Sequence, residues 1–417
     1  MKQKKQYIFN GPYAPVPIRW LNSLARRAKP VFNRPGYLKS EQLLEAAGRR
    51  TGLQDFGDPR FEEALAALLD SVNREGKLTF FGRFAFRQFL VENLCSRLRV
   101  IEVLKRFPEI RRQNIARPIF ITGWYRTGTT YLQNLLASHP NVRAPLYWEL
   151  RYPCPTTEPR SNNPRRQIRK VDMESGIHRW LAPGFDAVHP MRSGKPEECL
   201  HLFEKACAGT TAFFITEAKS FAWWLLDHDP GHGYDFFKLQ LQLLNWLRPG
   251  RLWVLKWPYH LWRLEALLQC FPEAVIILLH RDPCEAIPSV CSLAAAARAP
   301  FCDAIDAKAL GEFWLNYCEA GLRRGLAAQA NGGRYRIIDI RYRDLRQNPR
   351  SVVDQIQAAS GMDNVPAWPQ SSPASGKVFE KKGPQLHVYS PTQFGLKSAE
   401  IRERFSQYIE NYGLSIE

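Results

Sequence analysis

An apolar run that leads into two glycines constrains this chain more than any other feature of its sequence. Residues 118–122 have the pattern of a buried β-strand, and Gly123 and Gly128 follow it, five positions apart. Thr129 and Thr130 then open a helical pattern. Two glycines at this spacing let the backbone curl so that several N–H groups point at one anion, and the helix adds partial positive charge. The sequence therefore predicts an anion-binding loop, and a glycine turn that merely joins strand to helix is the weaker alternative.

The positive charge of this loop stands at an unusual position. In loops that bind nucleoside triphosphates, a lysine follows the second glycine and serves the β- and γ-phosphates together with Mg²⁺. Thr129 occupies that position here, and Arg126 supplies a cation from inside the loop, next to Thr127. The pattern therefore argues against hydrolysis of ATP or GTP and favours another anion.

Strand-like and helical patterns alternate through most of the chain after residue 117. Further apolar runs occupy residues 252–256, 274–279 and 335–340, and helical patterns occupy residues 129–137, 262–270, 285–297 and 351–359. This alternation predicts an α/β fold with a P-loop-type parallel sheet flanked by helices, in which ligands bind at the carboxyl ends of the strands.

Residues 1–116 have helical patterns throughout and predict an N-terminal helical extension packed on the α/β body of residues 117–417. Within the extension, Asp58 and Pro59 predict the start of one helix, because a capping carboxylate followed by proline is typical of a first turn. A second helix is predicted over residues 84–107, ahead of Pro108.

Two further cations follow predicted strands. His280 and Arg281 follow the third apolar run, and Ser289 stands eight positions after Arg281, two turns into the next helix. A guanidinium and a hydroxyl placed in this way can share a phosphate, although an arginine beside Asp282 is also a common structural ion pair. Lys256 ends the second run and is predicted to point into the same crevice, unless it is a surface lysine.

Taken in this order, the motifs strongly resemble those of the sulfotransferase superfamily, which uses 3′-phosphoadenosine 5′-phosphosulfate (PAPS). The resemblance covers about residues 117–417; it is nearest to bacterial-type sulfotransferase family proteins and more remote for tyrosylprotein sulfotransferases. It implies that the loop from Gly123 to Thr130 holds the 5′-phosphosulfate, and that Arg281 and Ser289 hold the 3′-phosphate. Tyr342 matches the tyrosine that approaches the nucleotide in that family.

The same resemblance implies transfer of a sulfuryl group from PAPS to a hydroxyl or amine of a small-molecule or lipid-like acceptor. Lys256 is expected to meet the transferring group and Arg126 to neutralise charge, so that no metal is needed. The acceptor-binding insert is expected around residues 150–250. Aromatic residues between positions 221 and 246 lie in this insert, where they predict either helix core or acceptor lining.

An acceptor hydroxyl also needs a general base. Glu149 is the first candidate, because a carboxylate among aromatic residues has a raised pKa, but an ordinary capping or ion-paired glutamate is an equal alternative. Glu198 is the second candidate and His189 the third. Glu197 and His260 complete the set of alternatives, although carboxylates before a helix are favoured by its dipole in any case.

The chain is strongly basic, since 58 Lys and Arg residues stand against 40 Asp and Glu residues for a net charge of +18. This excess favours anionic partners and leaves two rival functions open: a P-loop nucleotide-dependent kinase and a basic nucleic-acid-binding protein. The missing loop lysine weighs against the first. The basic residues are scattered and form no recognised module, so we expect no nucleic-acid partner.

Nine cysteines without a C-x-x-C pair predict free thiols in a reducing compartment. No apolar run reaches the roughly 20 residues that cross a bilayer, and we expect a cytoplasmic protein. Near the N-terminus, Ile18, Leu21 and Leu24 share one face of a basic helical segment. This pattern predicts either a peripheral helix packed on the body or a peripheral contact with a membrane. The oligomeric state is unknown at this level.

Overall fold

The fold centres on one parallel β-sheet. The structure, a computed structural model, describes residues 5–7, 11–27, 37–154, 163–331, 335–360 and 385–414. In this part of the chain the strands are β1 (Lys5–Tyr7), β2 (Ile119–Gly123), β3 (Val142–Arg143), β4 (Leu252–Lys256), β5 (Val275–His280), β6 (Arg336–Arg341) and β7 (Gln385–His387). Five of them form the sheet in the order β3–β4–β2–β5–β6, and β1 pairs with β7 separately. The predicted α/β class with a parallel sheet is confirmed.

The register of the sheet brings the functional strand ends together. Strand β2 is central, and its Ile121 pairs with Lys256 of β4 on one side and with Ile277 of β5 on the other. Gly123, at the end of β2, pairs with Leu279. Because all strands are parallel, the segments that follow β2, β4 and β5 emerge at the same edge.

Helices cover the sheet and form the N-terminal part of the chain. Before the sheet lie α1 (Val16–Arg27), α2 (Ser40–Thr51), α3 (Phe61–Glu75) and α4 (Phe80–Arg106). Between β2 and β4 lie α5 (Thr129–Leu136), α6 (Tyr147–Arg151), α7 (Arg165–Leu181), α8 (Pro183–Val188), α9 (Leu200–Phe203), α10 (Thr211–Ile215), α11 (Lys219–Asp227) and α12 (Gly231–Leu247). After β4 lie α13 (Leu264–Cys270), α14 (Pro283–Arg298), α15 (Ala307–Asn331), α16 (Tyr342–Gln347), α17 (Pro349–Ser360), α18 (Ser398–Arg404) and α19 (Ser406–Tyr412). Short 3₁₀ helices occupy Pro108–Arg112, Glu204–Ala206, Pro258–Arg263 and Pro391–Phe394.

The N-terminal helices share their hydrophobic core with the body. Arg97 of α4 is buried, with its guanidinium between the rings of Phe61 and Phe236 at 4.1 and 4.2 Å from their centroids. Its Nε and one terminal nitrogen donate to the carbonyls of Phe56 and Asp58 at 2.7 and 2.8 Å. This buried cation ties the turn before α3 to helix α12. The boundary at residue 116 stays a prediction.

The helix starts in this region differ from the sequence prediction. Helix α3 begins at Phe61, because the Asp58 carboxylate accepts the backbone N–H of Arg60 and closes a turn ahead of the helix. Helix α4 begins at Phe80, four residues before the predicted start, with the Thr79 hydroxyl accepting the N–H of Gly82 at 2.8 Å. The apolar periodicity of the sequence predicted that both helices exist, but it did not predict the residues at which they begin.

Three further predictions can be compared with the structure. The helix predicted over residues 262–270 starts as the 3₁₀ helix Pro258–Arg263 and becomes α-helical only at Leu264. All nine cysteines are free thiols, as predicted. Among the described helices, none has the length and apolar character needed to span a membrane.

Candidate functional site

The loop after β2 has the backbone that its glycines predict. Gly123 has a φ of +139°, and a Cβ at this position would lie 2.4 Å from the carbonyl oxygen of Leu279 on the neighbouring strand. Gly128 has a φ of +87°, and a Cβ there would lie 2.8 Å from the ring of Tyr342. Thr127 closes the turn by donating its hydroxyl to the carbonyl of Trp124 at 2.7 Å. Both glycines are therefore required by conformation and by close packing.

Arg126 lies at the junction between this loop and helix α14. Its Nε donates to the Ser289 hydroxyl at 3.2 Å, and a terminal nitrogen donates to the carbonyl of Val188 at 3.4 Å. Burial lowers the pKa of the Arg126 guanidinium from its ordinary value. The guanidinium thus contacts a hydroxyl and a carbonyl instead of a carboxylate, which suits it to an incoming anion.

Arg281 approaches the same junction from the end of β5. It donates to the carbonyl of Arg126 at 2.8 Å, and its guanidinium lies 4.4 Å from the centroid of the Tyr342 ring. The structure therefore brings Arg126, Arg281, Ser289 and Tyr342 together at the carboxyl ends of β2, β5 and β6.

Lys256 connects the loop to a pair of glutamates. Its side chain is fully buried at the end of β4, and its ammonium donates to the Thr130 hydroxyl at 3.1 Å and to the Glu198 carboxylate at 2.8 Å. Glu197 lies 3.8 Å from the same ammonium. A buried cation of this kind is stabilised only because these partners compensate its charge. Thr129, the other threonine of the pair, is buried at the start of α5.

His189 and Glu197 form a second contact beside Lys256. The Nε2 atom of His189 lies 3.3 Å from the Glu197 carboxylate. Burial opposes ionisation of Glu197, but the charges of His189 and Lys256 outweigh it and lower the pKa of the Glu197 carboxyl well below its usual range. Ligand atoms of His189, Glu197 and Glu198 lie within 4.8 Å of one another, a spacing that could also hold a metal ion. In the structure the Lys256 ammonium supplies the positive charge of this group.

Glu149 does not join this group of side chains. Its carboxylate accepts two hydrogen bonds from the Arg143 guanidinium at 2.9 and 2.7 Å, and a third from the backbone N–H of Leu146 at 2.8 Å. Arg143 belongs to the edge strand β3, where it pairs with Trp253, three residues before Lys256. The buried Glu149 thus has the capping and ion-pairing role that stood as the alternative to general base.

His260 is also occupied elsewhere. It is buried between Phe120 and Phe203, and its Nδ1 atom lies 2.9 Å from the Tyr234 hydroxyl. Burial lowers the pKa of His260 to about 3. A histidine that stays neutral inside an aromatic cluster supports packing and is poorly suited to proton transfer near neutral pH.

A large cavity of about 330 Å³ opens beside Glu198. It is bounded by helices α4, α6, α7, α8, α9, α10 and α14, and its apolar lining includes Phe86, Phe89, Phe185 and Phe214. Its size and mostly apolar lining are typical of a site for a small organic molecule. His189 and Glu198 lie in its wall, so the cavity meets the Lys256 group directly.

Most of the lining residues lie between positions 150 and 250, the range predicted for the acceptor-binding insert, but the aromatic residues between positions 221 and 246 are not among them. Phe221, Tyr234, Phe236 and Phe237 from the predicted insert are buried in the core, and the N-terminal helix α4 supplies Phe86 and Phe89 instead. No chemistry was expected before residue 117. Apolar periodicity alone could not separate a helix face that lines a cavity from one that packs in a core.

Known proteins resemble the chain in sequence and in fold. Residues 118–366, more than half of the chain, match the sequence model of the Sulfotransferase family. The structure is similar to sulfotransferase STF1 from Mycobacterium tuberculosis H37Rv, with a TM-score of 0.78, 29% identity, and coverage of 90% of this chain and 100% of that one. It has the fold of sulfotransferase STF9 from Mycobacterium avium, with a TM-score of 0.79, 24% identity, and coverage of 91% and 98%. A search among curated protein sequences found no significant match.

Proposed function

The chain belongs to the sulfotransferase family, and from this premise we propose that it transfers the sulfuryl group of PAPS to a hydroxyl or amine on an apolar small molecule or a lipid-like acceptor. The observation that carries the proposal is the position of Lys256, whose ammonium contacts Thr130 of the anion loop and Glu198 at the cavity wall. One side chain thus stands between a site for a nucleotide and a site for an acceptor.

The residues around the loop fit a nucleotide with anions at two positions. Gly123 and Gly128 give the loop the positive-φ backbone of an anion-binding turn, and the half-buried Arg126 and the buried Lys256 place two cations beside it. We assign the 5′-phosphosulfate to this loop with Thr127, Thr129 and Thr130. When bound, PAPS supplies a sulfuryl group that is already activated for transfer.

Arg281 and Ser289 are assigned to the 3′-phosphate of the same nucleotide. Their side chains meet at the Arg126 junction, so one anion could bind to a guanidinium and a hydroxyl there. The ring of Tyr342 packs against the guanidinium of Arg281. The contact between Arg126 and Ser289 implies that the two anion sites are adjacent, which suits two anionic groups on one ribose.

Glu198 takes the role of general base in this proposal, in place of Glu149. Its side chain is partly exposed at the cavity wall, and its carboxylate accepts a hydrogen bond from the Lys256 ammonium at 2.8 Å. An acceptor hydroxyl in the cavity would give its proton to Glu198, while Lys256 and Arg126 neutralise negative charge on the departing side. His189, fixed by Glu197, is the alternative base, and no step requires a metal ion.

The proposal is tested with purified full-length chain, radiolabelled PAPS and a panel of apolar alcohols, phenols and hydroxylated lipids. We expect label to appear in an organic acceptor and 3′,5′-bisphosphoadenosine to bind without Mg²⁺. Calorimetric binding of ATP with Mg²⁺ in preference to the bisphosphate would instead favour a kinase. Salt-sensitive binding of oligonucleotides without affinity for the bisphosphate would favour a nucleic-acid-binding protein.

A further inference from the structure

Helix α1 carries an apolar face that points away from the protein. Val16, Trp20 and Leu24 recur every four residues, and 53%, 66% and 57% of their surfaces are exposed. The opposite side of the helix is attached to the body, because the buried Asn22 accepts the backbone N–H of Phe81 at 3.0 Å. An exposed row of large apolar side chains is typical of a surface that binds another molecule or a membrane.

Helix α7 carries a second exposed apolar face. Met173, Ile177 and Trp180 are 61%, 51% and 50% exposed and follow one another at helical spacing. Arg166 and Arg169 continue the same face towards the start of the helix and are also exposed. The two helices therefore share one composition, in which aromatic and aliphatic residues are joined by arginines.

Both helices lie beside α4, the helix that supplies part of the cavity lining. Lys170 of α7 donates to Glu92 of α4 at 2.6 Å, and further along α7 His178 lines the cavity together with Ala85 of α4. Helix α7 is therefore linked to α4 through this ion pair and through the cavity wall, and α1 is attached near the start of α4 through Phe81.

Two of the exposed apolar residues, Phe84 and Ile177, stand next to residues that line the cavity. On α4, Phe84 is 56% exposed while the next residue, Ala85, lines the cavity. On α7, Ile177 is exposed while the next residue, His178, lines the cavity. Successive helical residues point about 100° apart, so each of these pairs marks a place where the cavity wall turns into the outer surface.

The charge around these faces identifies the kind of body that covers them. Helix α1 contains Arg19, Arg26 and Arg27 and no acidic residue, and the whole chain has a net charge of +18. Tryptophan and leucine on one side with arginine around them are typical of helices that lie in the headgroup layer of an anionic bilayer. Two copies of this chain would bring arginines against arginines, which opposes self-association through the same surface.

We propose that the exposed faces of α1 and α7, together with Phe84, form a membrane-docking surface that sets the mouth of the cavity against an anionic lipid bilayer. An amphiphilic acceptor can then enter the cavity from the bilayer with its chain leading and its hydroxyl directed to Glu198. The docking surface stands on exposure and charge alone, whereas its link to the acceptor rests on the proposed function.

The test measures binding of the full-length chain to vesicles. We expect co-sedimentation with vesicles of phosphatidylglycerol and phosphatidylcholine, weak binding to phosphatidylcholine alone, and release at high salt. The double substitution Trp20→Glu with Trp180→Glu should weaken binding to the anionic vesicles by at least about tenfold. As a matched control, Arg323→Gln with Arg336→Gln lowers the net charge by the same two units at α15 and β6, where both side chains are exposed, and should change binding much less.

Each outcome decides one of the two proposals. Equal loss of binding in both double variants would show that only net charge matters and would overturn the docking surface, as would failure of the unaltered chain to bind anionic vesicles. Concentration-dependent dimers that disappear in the tryptophan variant would assign the surface to a second copy and overturn it as well. Titration with 3′,5′-bisphosphoadenosine tests the sulfotransferase site separately, because Trp20 and Trp180 lie outside the loop and the Lys256 group.

Discussion

The ammonium of Lys256 lies 2.8 Å from the carboxylate of Glu198, and this contact joins strand β4 to the segment just before helix α9. Lys256 is fully buried, whereas Glu198 reaches the wall of the 330 Å³ cavity. A cation that donates to the anion loop on one side and to an exposed carboxylate on the other couples two otherwise separate sites. The pair is therefore the most direct target for mutagenesis.

Replacement of Glu198 by Gln should abolish most activity without weakening nucleotide binding. The substitution keeps the size of the side chain but removes the base, and loss of general base catalysis typically costs about 10²–10⁴ in kcat. Removal of a negative charge beside the loop should leave the affinity for 3′,5′-bisphosphoadenosine equal or higher. Steady-state kinetics and calorimetry together check this expectation, and a near-normal kcat would reassign the base to His189.

Replacement of Glu149 by Ala should lower the stability of the fold but leave kcat nearly unchanged, unlike replacement of Glu198. The Glu149 carboxylate neutralises Arg143 in a bidentate ion pair. The substitution therefore leaves the mostly buried guanidinium of Arg143 without its anionic partner. We expect a loss of about 3 kcal/mol in the free energy of unfolding, measured with urea, and a kcat per folded molecule close to that of the unaltered enzyme. A stable variant with a kcat as low as that of Glu198→Gln would restore Glu149 as the base.

Replacement of Arg281 by Ala should remove the preference for a 3′-phosphate. Hydrogen bonds to a charged group contribute about 1.5–3 kcal/mol, so we expect roughly a tenfold to hundredfold loss in affinity for 3′,5′-bisphosphoadenosine. Affinity for 5′-AMP, which lacks that phosphate, should change little. Because Arg281 also donates to the carbonyl of Arg126, the milder Ser289→Ala serves as a second test in the same titration. Parallel losses for both nucleotides would contradict the assignment.

The sheet could be predicted from the sequence almost residue by residue. Strands β2, β4, β5 and β6 begin and end within one residue of the predicted runs. For β2, β4 and β5 the reason is that parallel strands covered on both faces have continuous apolar sequences, whereas the edge strand β6 alternates buried and exposed residues. Strand β3 was missed, since a two-residue strand has no periodicity to detect. The loop after β2 could also be predicted, because its backbone conformation requires glycine at two positions of a short motif.

The proposed general base was harder to identify from the sequence, because distant residues determine the surroundings of a carboxylate. Glu149 follows the apolar residues 146–148 and Glu198 follows Pro196 and Glu197, and only the tertiary structure shows that Glu149 contacts Arg143 and Glu198 contacts Lys256. A local signal existed for Glu149, which stands three residues after Leu146 and accepts its backbone N–H as a helix-capping glutamate does. No comparable signal marks Phe86 and Phe89 as cavity lining, since most of the other residues that line the cavity are more than 80 residues away along the chain.

Replacement of Gly123 by Ala should damage both stability and nucleotide binding. The residue has a φ of +139°, and the new Cβ would meet the Leu279 carbonyl oxygen at 2.4 Å, so the loop or strand β5 must shift. We expect a loss of at least about 1–3 kcal/mol in the free energy of unfolding and a large drop in affinity for the bisphosphate. Gly194→Ala is the matched control, because a Cβ there has no atom within 4 Å and should alter neither quantity. Equal behaviour of the two variants would contradict the proposed role of the tight turn.

Buried histidines should make the folded state sensitive to mild acid. Burial lowers the pKa of His260 from 6.5 to about 3 and that of His178 to about 4. At a pH between the pKa of the folded chain and that of the unfolded chain, the unfolded chain binds a proton that the folded chain does not. The stability of the fold therefore decreases as the pH falls below about 6.5. Above about pH 6.5 these histidines do not change the stability. For His260 alone, the loss between about pH 7 and pH 5 amounts to about 2 kcal/mol.

Urea unfolding of the unaltered chain and of His260→Gln at these two pH values measures that contribution. Glutamine does not titrate, so the variant can be less stable at neutral pH but should lose about 2 kcal/mol less on acidification. Comparing how much stability each chain loses between the two pH values cancels the packing cost of the substitution, because that cost is the same at both pH values. If both chains lost equal stability on acidification, His260 would have to be protonated inside its aromatic cluster, and the buried neutral ring beside Tyr234 would be excluded.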